Sequence, residues 1–328
     1  MKVQKNLKWA LVLSGGGAKG LAHAGFLKAL MEMGAPEPSL VVGTSMGAIV
    51  GGLYASGMSP ADMNRFILDE FDITKYLDSF VFKLNGPVGR ILQAGQLLGN
   101  LAGKPGIDSG NQLLGLLRHL SGNRRFEETR IPFRCNAVDL ISGNEVVFDS
   151  GNVAEAIRAS MSFPVFFEPV LMGNQCLADG GLVDNMPIHI AASAGFTRIL
   201  AVDVGGFRPA PAADFVSAPK IVYRSLEVVL KIMHQRKTDY DKALVITASD
   251  KATPFAFTKK KELAALGEQA VRDNEKALTA FFGGGLRAAI TRNHYQKQNR
   301  KRYGKQTVSK TSVRSGVSAS IKADYAAT

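Results

Sequence analysis

Residues 40–52 read LVVGTSMGAIVGG, a short apolar run that enters a glycine-flanked serine and continues as small residues. The pattern predicts a buried strand at residues 40–42 and a helix at 48–56, joined by a sharp turn. Such a turn lifts the serine Oγ clear of the sheet, while its glycines let the backbone pass close to its neighbours. Ser45 is therefore a candidate nucleophile. A serine that only caps a helix is the alternative, because the pentapeptide also arises by chance.

The start of the chain repeats this order of strand, glycine turn and helix. The sequence pattern predicts a strand at residues 8–13, a turn at 15–20 and a helix at 21–33. Two such units in succession favour a three-layer α/β/α fold with a mostly parallel central sheet. Further strands are predicted at 131–140, 145–148, 198–204 and 244–247, and further helices at 153–162, 187–194 and 260–282.

The charge of the chain is concentrated at one end. The net charge is +12 over 328 residues, and residues 283–328 hold ten basic side chains against one acid. We therefore divide the chain into a folded domain at 1–282 and a basic, low-complexity, disordered tail at 283–328. The tail suits anionic lipid headgroups, and nucleic acid or plain solvation remain alternatives. Nucleic acid is the less favoured partner, because the domain itself is nearly balanced in charge.

Two apolar stretches resemble targeting or membrane segments without meeting their requirements. The run at 9–13 is too short for a signal peptide and leads directly into glycines. The uncharged run at 39–61 is rich in Gly, Ser and Thr, which a buried strand–turn–helix explains better than a membrane span. We expect a cytoplasmic protein, and peripheral contact with a membrane stays open. The chain has two cysteines, and Cys135 lies in a predicted strand as a buried thiol.

The turn at residues 14–20 reads SGGGAKG and carries a second possible chemistry. It fits the G-x-G-x-x-G pattern after a strand, so a dinucleotide site is a competing interpretation. The following strand, however, ends at Ser45 and not at the acid that a ribose would need. Leu21 stands where a phosphate-binding loop requires lysine. Consecutive glycines also offer backbone N–H groups to an anion, and near a nucleophilic serine that anion is a tetrahedral oxyanion.

An acidic turn, Asp179-Gly180-Gly181, follows another predicted strand. Taken alone it is an ordinary turn, and it gains weight only because a serine nucleophile needs a base. None of the histidines lies in an obvious glycine-flanked loop after a strand, which disfavours a histidine triad without excluding it. They are His23, His119, His189, His234 and His294.

The three motifs occur in the order and approximate spacing that is typical of one enzyme family. Together with RASMSFPVFFEP at 158–169 and DNMP at 184–187, they resemble the patatin-like phospholipases. The resemblance covers about residues 8–282 and is greatest to the short bacterial members, which have no appended regulatory domain. It implies the patatin-like form of the α/β/α fold.

The same resemblance implies a Ser–Asp dyad, with Ser45 as the nucleophile and Asp179 as the base. It also implies an oxyanion hole formed by the backbone N–H groups of Gly15, Gly16 and Gly17. Lys19 matches a basic position of the family. An acyl chain needs apolar side chains near the serine, so we assign Met46, Phe163 and Phe166 to the substrate-binding set with Lys19.

The resulting prediction is a serine acyl-ester hydrolase of the phospholipase A or lysophospholipase type, acting on phospholipids or related acyl esters in lipid metabolism. The pattern at 91–101 predicts a core helix, or alternatively a lid over a lipid site. We expect no cofactor and no metal, because His, Cys and acidic residues do not cluster at ligand spacing. A nucleotide-binding protein and a non-catalytic regulatory protein remain alternatives. The oligomeric state is open.

Overall fold

The computed structural model describes residues 3–77, 105–205, 209, 211–215, 218–236, 242–249 and 256–303. The strands are β1 (Ala10–Leu13), β2 (Leu40–Gly43), β3 (Gly106–Asp108), β4 (Phe133–Asp139), β5 (Glu145–Phe148), β6 (Val165–Phe167), β7 (Val170–Met172), β8 (Gln175–Asp179), β9 (Ile199–Asp203) and β10 (Ala243–Thr247). The helices are α1 (Ala22–Glu32), α2 (Met46–Ala55), α3 (Pro60–Arg65), α4 (Asn111–Leu120), α5 (Val153–Ser160), α6 (Ile188–Ser193), α7 (Ala218–Arg236), α8 (Lys260–Asp273), α9 (Glu275–Phe282) and α10 (Gly285–Tyr303).

A mostly parallel sheet forms the centre of the protein. Its order is β10-β9-β1-β2-β4-β8-β7, and β5 pairs with β4. Strands β10, β9, β1, β2 and β4 run parallel, whereas β5, β7 and β8 join by antiparallel pairing. Strands β3 and β6 form a separate parallel pair. The parallel strands place the turns that follow β1 and β2 at the same edge of the sheet.

The central strands are buried on both faces, which explains their continuous apolar sequences. In β1, Leu11 and Leu13 belong to one buried cluster, which also contains side chains of α1, α2, α5, α8 and α9. Ala10 and Val12 belong to a second cluster, on the opposite face, which α6 covers. The alternation along a single strand creates the three layers that the sequence predicts.

Two glycines allow α1 and α8 to pack in backbone contact. A Cβ added at Gly25 would overlap the carbonyl oxygen of Ala264, and one added at Gly267 would overlap that of Ala22. Each helix therefore presents a glycine to the backbone of the other. This close contact holds α8 against α1, which begins one turn after the glycine-rich loop of β1.

The C-terminal part differs from the sequence expectation in two ways. The single helix predicted at 260–282 is two helices, because the chain bends at Asn274 between α8 and α9. Residues 285–303, expected to belong to a disordered tail, form α10, which packs Tyr295 against the main core. The rest of the predicted tail, 304–328, and the predicted lid or core helix at 91–101 lie outside the described residues.

Helix α10 lies at the edge of the sheet opposite Ser45. Asn299 Nδ2 donates to the carbonyl oxygen of Ala243, the first residue of β10, at 3.3 Å. Because β10 and β2 run in the same direction, the start of β10 is remote from the end of β2. Among the described residues, none of the helices combines the length and apolar composition that crossing a bilayer requires.

We predict that Gly267→Ala lowers the free energy of unfolding by about 1–3 kcal/mol or more, because the new methyl group overlaps the backbone of α1. Gly115→Ala is the matched control, since Gly115 also lies within a helix but an added Cβ there meets open space. The control should raise stability by about 1 kcal/mol through helix propensity. Urea denaturation of both variants measures the two effects. Equal stabilisation by the two substitutions would contradict the packing.

Candidate active site

Ser45 lies at the turn between β2 and α2 in a strained backbone conformation. Its φ is +54° and its ψ is −121°, a region that non-glycine residues rarely occupy. The flanking glycines are sterically required, because a Cβ at Gly43 would overlap the carbonyl oxygen of Gly47. A Cβ at Gly47 would likewise overlap that of Leu13. The strain is thus held by close packing of β1, β2 and α2, as in a nucleophile elbow.

The side chain of Ser45 is hydrogen-bonded to a buried carboxylate 134 residues later in the chain. Ser45 Oγ donates to Asp179 Oδ2 at 2.8 Å, and the Gly181 N–H donates to Asp179 Oδ1 at 2.7 Å. Asp179 is the last residue of β8, and its own N–H donates to the carbonyl oxygen of Ser162 at 3.0 Å. Both carboxylate oxygens are therefore oriented, one of them towards the serine.

The environment of Asp179 changes its acidity. The residue is 2% exposed, and this burial raises the pKa of its carboxyl group to about 6 from an ordinary value near 3.8. The hydrogen bonds from Gly181 and Ser45 favour the ionised form and only partly oppose the effect of burial. At neutral pH the group is ionised, and it is a stronger base than an exposed aspartate.

The glycine turn after β1 lies beside Ser45. A Cβ added at Gly15 would be 3.1 Å from the Ser45 Cβ. The N–H of Gly15 donates to the carbonyl oxygen of Asn185 at 3.0 Å, so it is already occupied and we remove Gly15 from the predicted oxyanion donors. Gly17 has a φ of +57° and begins a short 3₁₀ helix, Gly17–Leu21. The first N–H groups of a helix lack partners within it, which leaves Gly16 and Gly17 as the candidate donors.

Two of the predicted substrate-binding residues, Lys19 and Met46, lie at or under the glycine turn. Lys19 lies in the 3₁₀ helix next to Gly16, at half-buried depth. Met46 is only 9% exposed, and its side chain packs against the backbone of Gly20 so closely that a Cβ there would overlap it. Met46 is thus a buried packing residue beneath the glycine turn, and we no longer assign it to the substrate-binding set.

Phe163 and Phe166 form a half-buried aromatic pair beside the acid. Their ring centroids are 6.2 Å apart at 44°, and Phe163 directly follows Ser162, whose carbonyl oxygen binds the N–H of Asp179. Val165 between them has a φ of +75°, which is strained for a β-branched residue. The Ser162–Asp179 backbone hydrogen bond therefore joins the segment that carries this pair to the end of β8, where the acid lies.

Three positions near the site were not singled out from the sequence. Ser160 Oγ accepts the N–H of Ser45 at 3.0 Å. Asn185 makes two hydrogen bonds to the backbone of Gly15. Its side-chain Nδ2 donates to the Gly15 carbonyl oxygen at 3.1 Å, and its backbone carbonyl oxygen accepts from the Gly15 N–H. Arg158, only 4% exposed, donates to Ser162 Oγ and to two backbone carbonyl oxygens. The block at 158–169 and the DNMP stretch contain all three, but no spacing rule indicates which atoms they bind.

The described histidines do not supply a partner for Ser45. His23 is fully buried with its Nε2 2.8 Å from the carbonyl oxygen of Ser14, and burial lowers its pKa to about 4. His189 is hydrogen-bonded to two carboxylates. His119 and His294 lie exposed on α4 and α10, and the His234 side chain is outside the described part of the structure.

Comparison with protein families and curated sequences gives consistent matches. A family model described as patatin-like phospholipase matches residues 11–192. An uncharacterized NTE family protein of Mycobacterium tuberculosis is 32% identical over 205 residues, which cover 62% of this chain and 51% of that protein. Lysophospholipase NTE1 of Kluyveromyces lactis is 33% identical over 196 residues, which cover 60% of this chain and 12% of that protein. The chain thus spans about half the length of its mycobacterial relatives.

Solved structures show more distant similarity. VipD from Legionella pneumophila aligns with a TM-score of 0.47 and 19% identity, covering 83% of this chain and 68% of VipD. ExoU of Pseudomonas aeruginosa, in complex with SpcU, aligns with a TM-score of 0.44 and 20% identity, covering 86% of this chain and 54% of that one.

Asp179→Asn should make the protein more stable at pH 8. The ionised carboxylate is costly in its buried position by up to about 3 kcal/mol, because its folded pKa lies above its unfolded value. This cost is present above pH 6 and disappears as the pH falls towards 4, so the advantage of the amide should shrink in parallel. Chemical denaturation at pH 8 and pH 4.5 measures it. Asp69→Asn, at an exposed position, controls for the removal of a negative charge, and an equal gain in that variant would contradict the assignment.

Proposed function

The chain belongs to the patatin-like phospholipase family, a family of lipid hydrolases, and on that premise we propose that it is a serine acyl-ester hydrolase. The observation that carries the proposal is the 2.8 Å hydrogen bond from Ser45 Oγ to Asp179 Oδ2. It joins a serine in a strained strand–helix turn to a buried carboxylate of raised pKa. Those are the two groups that nucleophilic attack on an ester requires.

In the proposed reaction, Ser45 Oγ attacks the ester carbonyl carbon while Asp179 Oδ2 accepts the hydroxyl proton. The tetrahedral intermediate collapses, the C–O bond to the alcohol breaks, and Asp179 returns the proton to the departing oxygen. Water then attacks the acyl-enzyme on the same path, and Asp179 accepts its proton before delivering it to Ser45 Oγ. The free acid and the alcohol are the products, and the enzyme is restored.

The negative charge of the tetrahedral intermediate needs donors on the side of the serine opposite the acid. We assign this role to the N–H groups of Gly16 and Gly17, because Asn185 occupies that of Gly15. A donor of this kind contributes about 3 kcal/mol to lowering the barrier. Lys19, in the same turn, adds a positive charge that suits an anionic phosphate on the substrate.

The substrate class that we propose is a phospholipid or lysophospholipid. Phe163 and Phe166, in the segment whose Ser162 carbonyl oxygen binds the Asp179 N–H, offer an apolar surface that suits an acyl chain. The lysophospholipase designation of the Kluyveromyces lactis relative supports the single-chain substrate as the first to test. Helix α10 lies at the far edge of the sheet, so we do not propose that its basic residues hold the substrate membrane over Ser45.

The proposed nucleophile is tested with a fluorophosphonate probe. Wild-type protein should be labelled on Ser45, located by peptide mass spectrometry, and should release fatty acid from lysophosphatidylcholine micelles. Ser45→Ala should lose both activities, because it removes the hydroxyl group that is hydrogen-bonded to Asp179. Ser56→Ala, a buried serine after α2, is the control for the loss of a hydroxyl group and should keep both. Folded wild-type protein that neither reacts nor hydrolyses would favour the non-catalytic alternative.

The base assignment predicts the acidic side of the pH profile. Because the pKa of Asp179 is raised to about 6, kcat/KM for a soluble short-chain ester should increase about tenfold per pH unit below 6 and level off between about pH 7 and 8. A kcat/KM profile that levels off near pH 4 would contradict a buried carboxylate base. If the residual activity of Asp179→Asn kept the same midpoint near pH 6, the group that titrates there would not be Asp179.

A further inference from the structure

A second group of ionisable side chains lies behind the candidate site. His189, on α6, is 2.9 Å from two carboxylates: Nδ1 faces Asp184 Oδ2, and Nε2 faces Glu145 Oε2. The Asp184 side chain is 2% exposed, while those of Glu145 and His189 are 24% and 30% exposed. The carboxylates approach different nitrogens of the ring, so the imidazole bridges them.

With both carboxylates ionised, this geometry favours a doubly protonated ring. A carboxylate only accepts hydrogen bonds, and a neutral imidazole has one N–H donor and one acceptor nitrogen. A neutral ring could therefore bond one of the two carboxylates and would turn a lone pair towards the other. Both contacts are satisfied when the ring carries two protons. The two carboxylates are also the charged groups that raise the pKa of His189 to about 9, against the opposing effect of desolvation.

The bridged group is connected to the nucleophile through Asn136 on β4. Asn136 Nδ2 donates to Glu145 Oε1 at 2.8 Å and to the Asp184 carbonyl oxygen at 3.1 Å. Asn136 Oδ1 accepts a hydrogen bond from the Oγ1 hydroxyl of Thr44, the residue before Ser45, at 2.7 Å. Three hydrogen bonds thus lead from the imidazole to the strained elbow.

The same group is connected to the acid and to the oxyanion turn. The Asp184 N–H donates to the carbonyl oxygen of Gly180 at 2.8 Å, which fixes the turn that follows Asp179. Asn185, the next residue, holds both the N–H and the carbonyl oxygen of Gly15. Asp184 is therefore a common anchor for the base and for the glycine turn.

We propose that His189, as a doubly protonated imidazolium, is a positioning residue that fixes the nucleophile elbow, the Asp179 turn and the glycine turn relative to one another. The proposal rests on the proposed hydrolase function. His189 does not touch the reacting atoms, and it acts through Glu145 and Asp184.

A consequence is an alkaline limit to turnover. As the pH rises through about 9, the ring loses a proton and one of its two carboxylates loses its donor. The stabilisation from the bridge is fully present below pH 6.5 and is lost through pH 9. We expect kcat for a soluble short-chain ester to fall about tenfold between pH 8 and pH 10, with KM little changed.

The ring is tested first without reference to turnover. With ¹⁵N-histidine labelling, the resonance assigned by its loss in His189→Gln should show both nitrogens protonated at pH 7.5 and titrate near pH 9. A neutral His189 ring at pH 7.5 would overturn the inference, whatever the activity. A doubly protonated ring in a protein that hydrolyses no ester and leaves Ser45 unlabelled would count against the proposed function instead.

Two variants then test the positioning role. His189→Gln should lower kcat at pH 8 by at least about tenfold, because small displacements of reacting groups are costly. It should also lack the alkaline fall. The exposed His119→Gln is the matched control and should keep the wild-type rate and profile. Unchanged kcat in folded His189→Gln would overturn the proposal.

Glu145→Gln is the second variant, and it preserves the connections without the charge. The amide oxygen can accept from Asn136 while the amide nitrogen donates to a neutral His189 Nε2, and Nδ1–H still bonds Asp184. This variant should turn over faster than His189→Gln at pH 8 and should lose the fall between pH 8 and 10. An alkaline fall identical to that of the wild type would assign it to a group other than His189 and contradict the proposal.

Discussion

The backbone of Ser45 is the constraint on which the site depends. A non-glycine residue at φ +54° is unfavourable by itself and persists only where its surroundings leave no alternative. Here Gly43 and Gly47 bring β2 and α2 into backbone contact with each other and with β1. The parallel sheet, buried on both faces, makes that contact rigid. The fold thus packs backbone against backbone at the residue whose side chain must remain accessible.

The carboxylates at the site differ in how well their negative charge is stabilised. Asp179 is buried with two hydrogen bonds, too few to offset its desolvation, and its pKa is raised as a result. Behind it, Asp184 and Glu145 share the imidazole of His189 and need its positive charge. One carboxylate is kept reactive by incomplete compensation, and the other two are kept in place by a cation. Asp179 is therefore the reactive carboxylate, whereas Asp184 and Glu145 stabilise the structure around it.

Sequence reasoning succeeded where the determining contacts are local. The β-turn-α units at β1 and β2 follow from apolar runs and glycines within a few residues, so their elements lie within two residues of the predicted bounds. It failed where distant residues decide. The Gly15 N–H is occupied by Asn185, 170 residues away, and Met46 is buried by contact with Gly20. The short strands β6 and β7 carry too few residues for a period to be read, and α10 owes its order partly to Tyr295, which packs on the core.

Ser45 and Asp179 are proposed to act as one catalytic unit. A double-mutant cycle with Ser45→Ala, Asp179→Asn and the combined variant, assayed by kcat/KM on one soluble ester at pH 8, tests this directly. Residues that act as a unit give strongly non-additive losses, so the combined variant should be no slower than Ser45→Ala alone. Losses that multiply in the combined variant, or an Asp179→Asn protein that keeps near-wild-type turnover, would contradict the dyad.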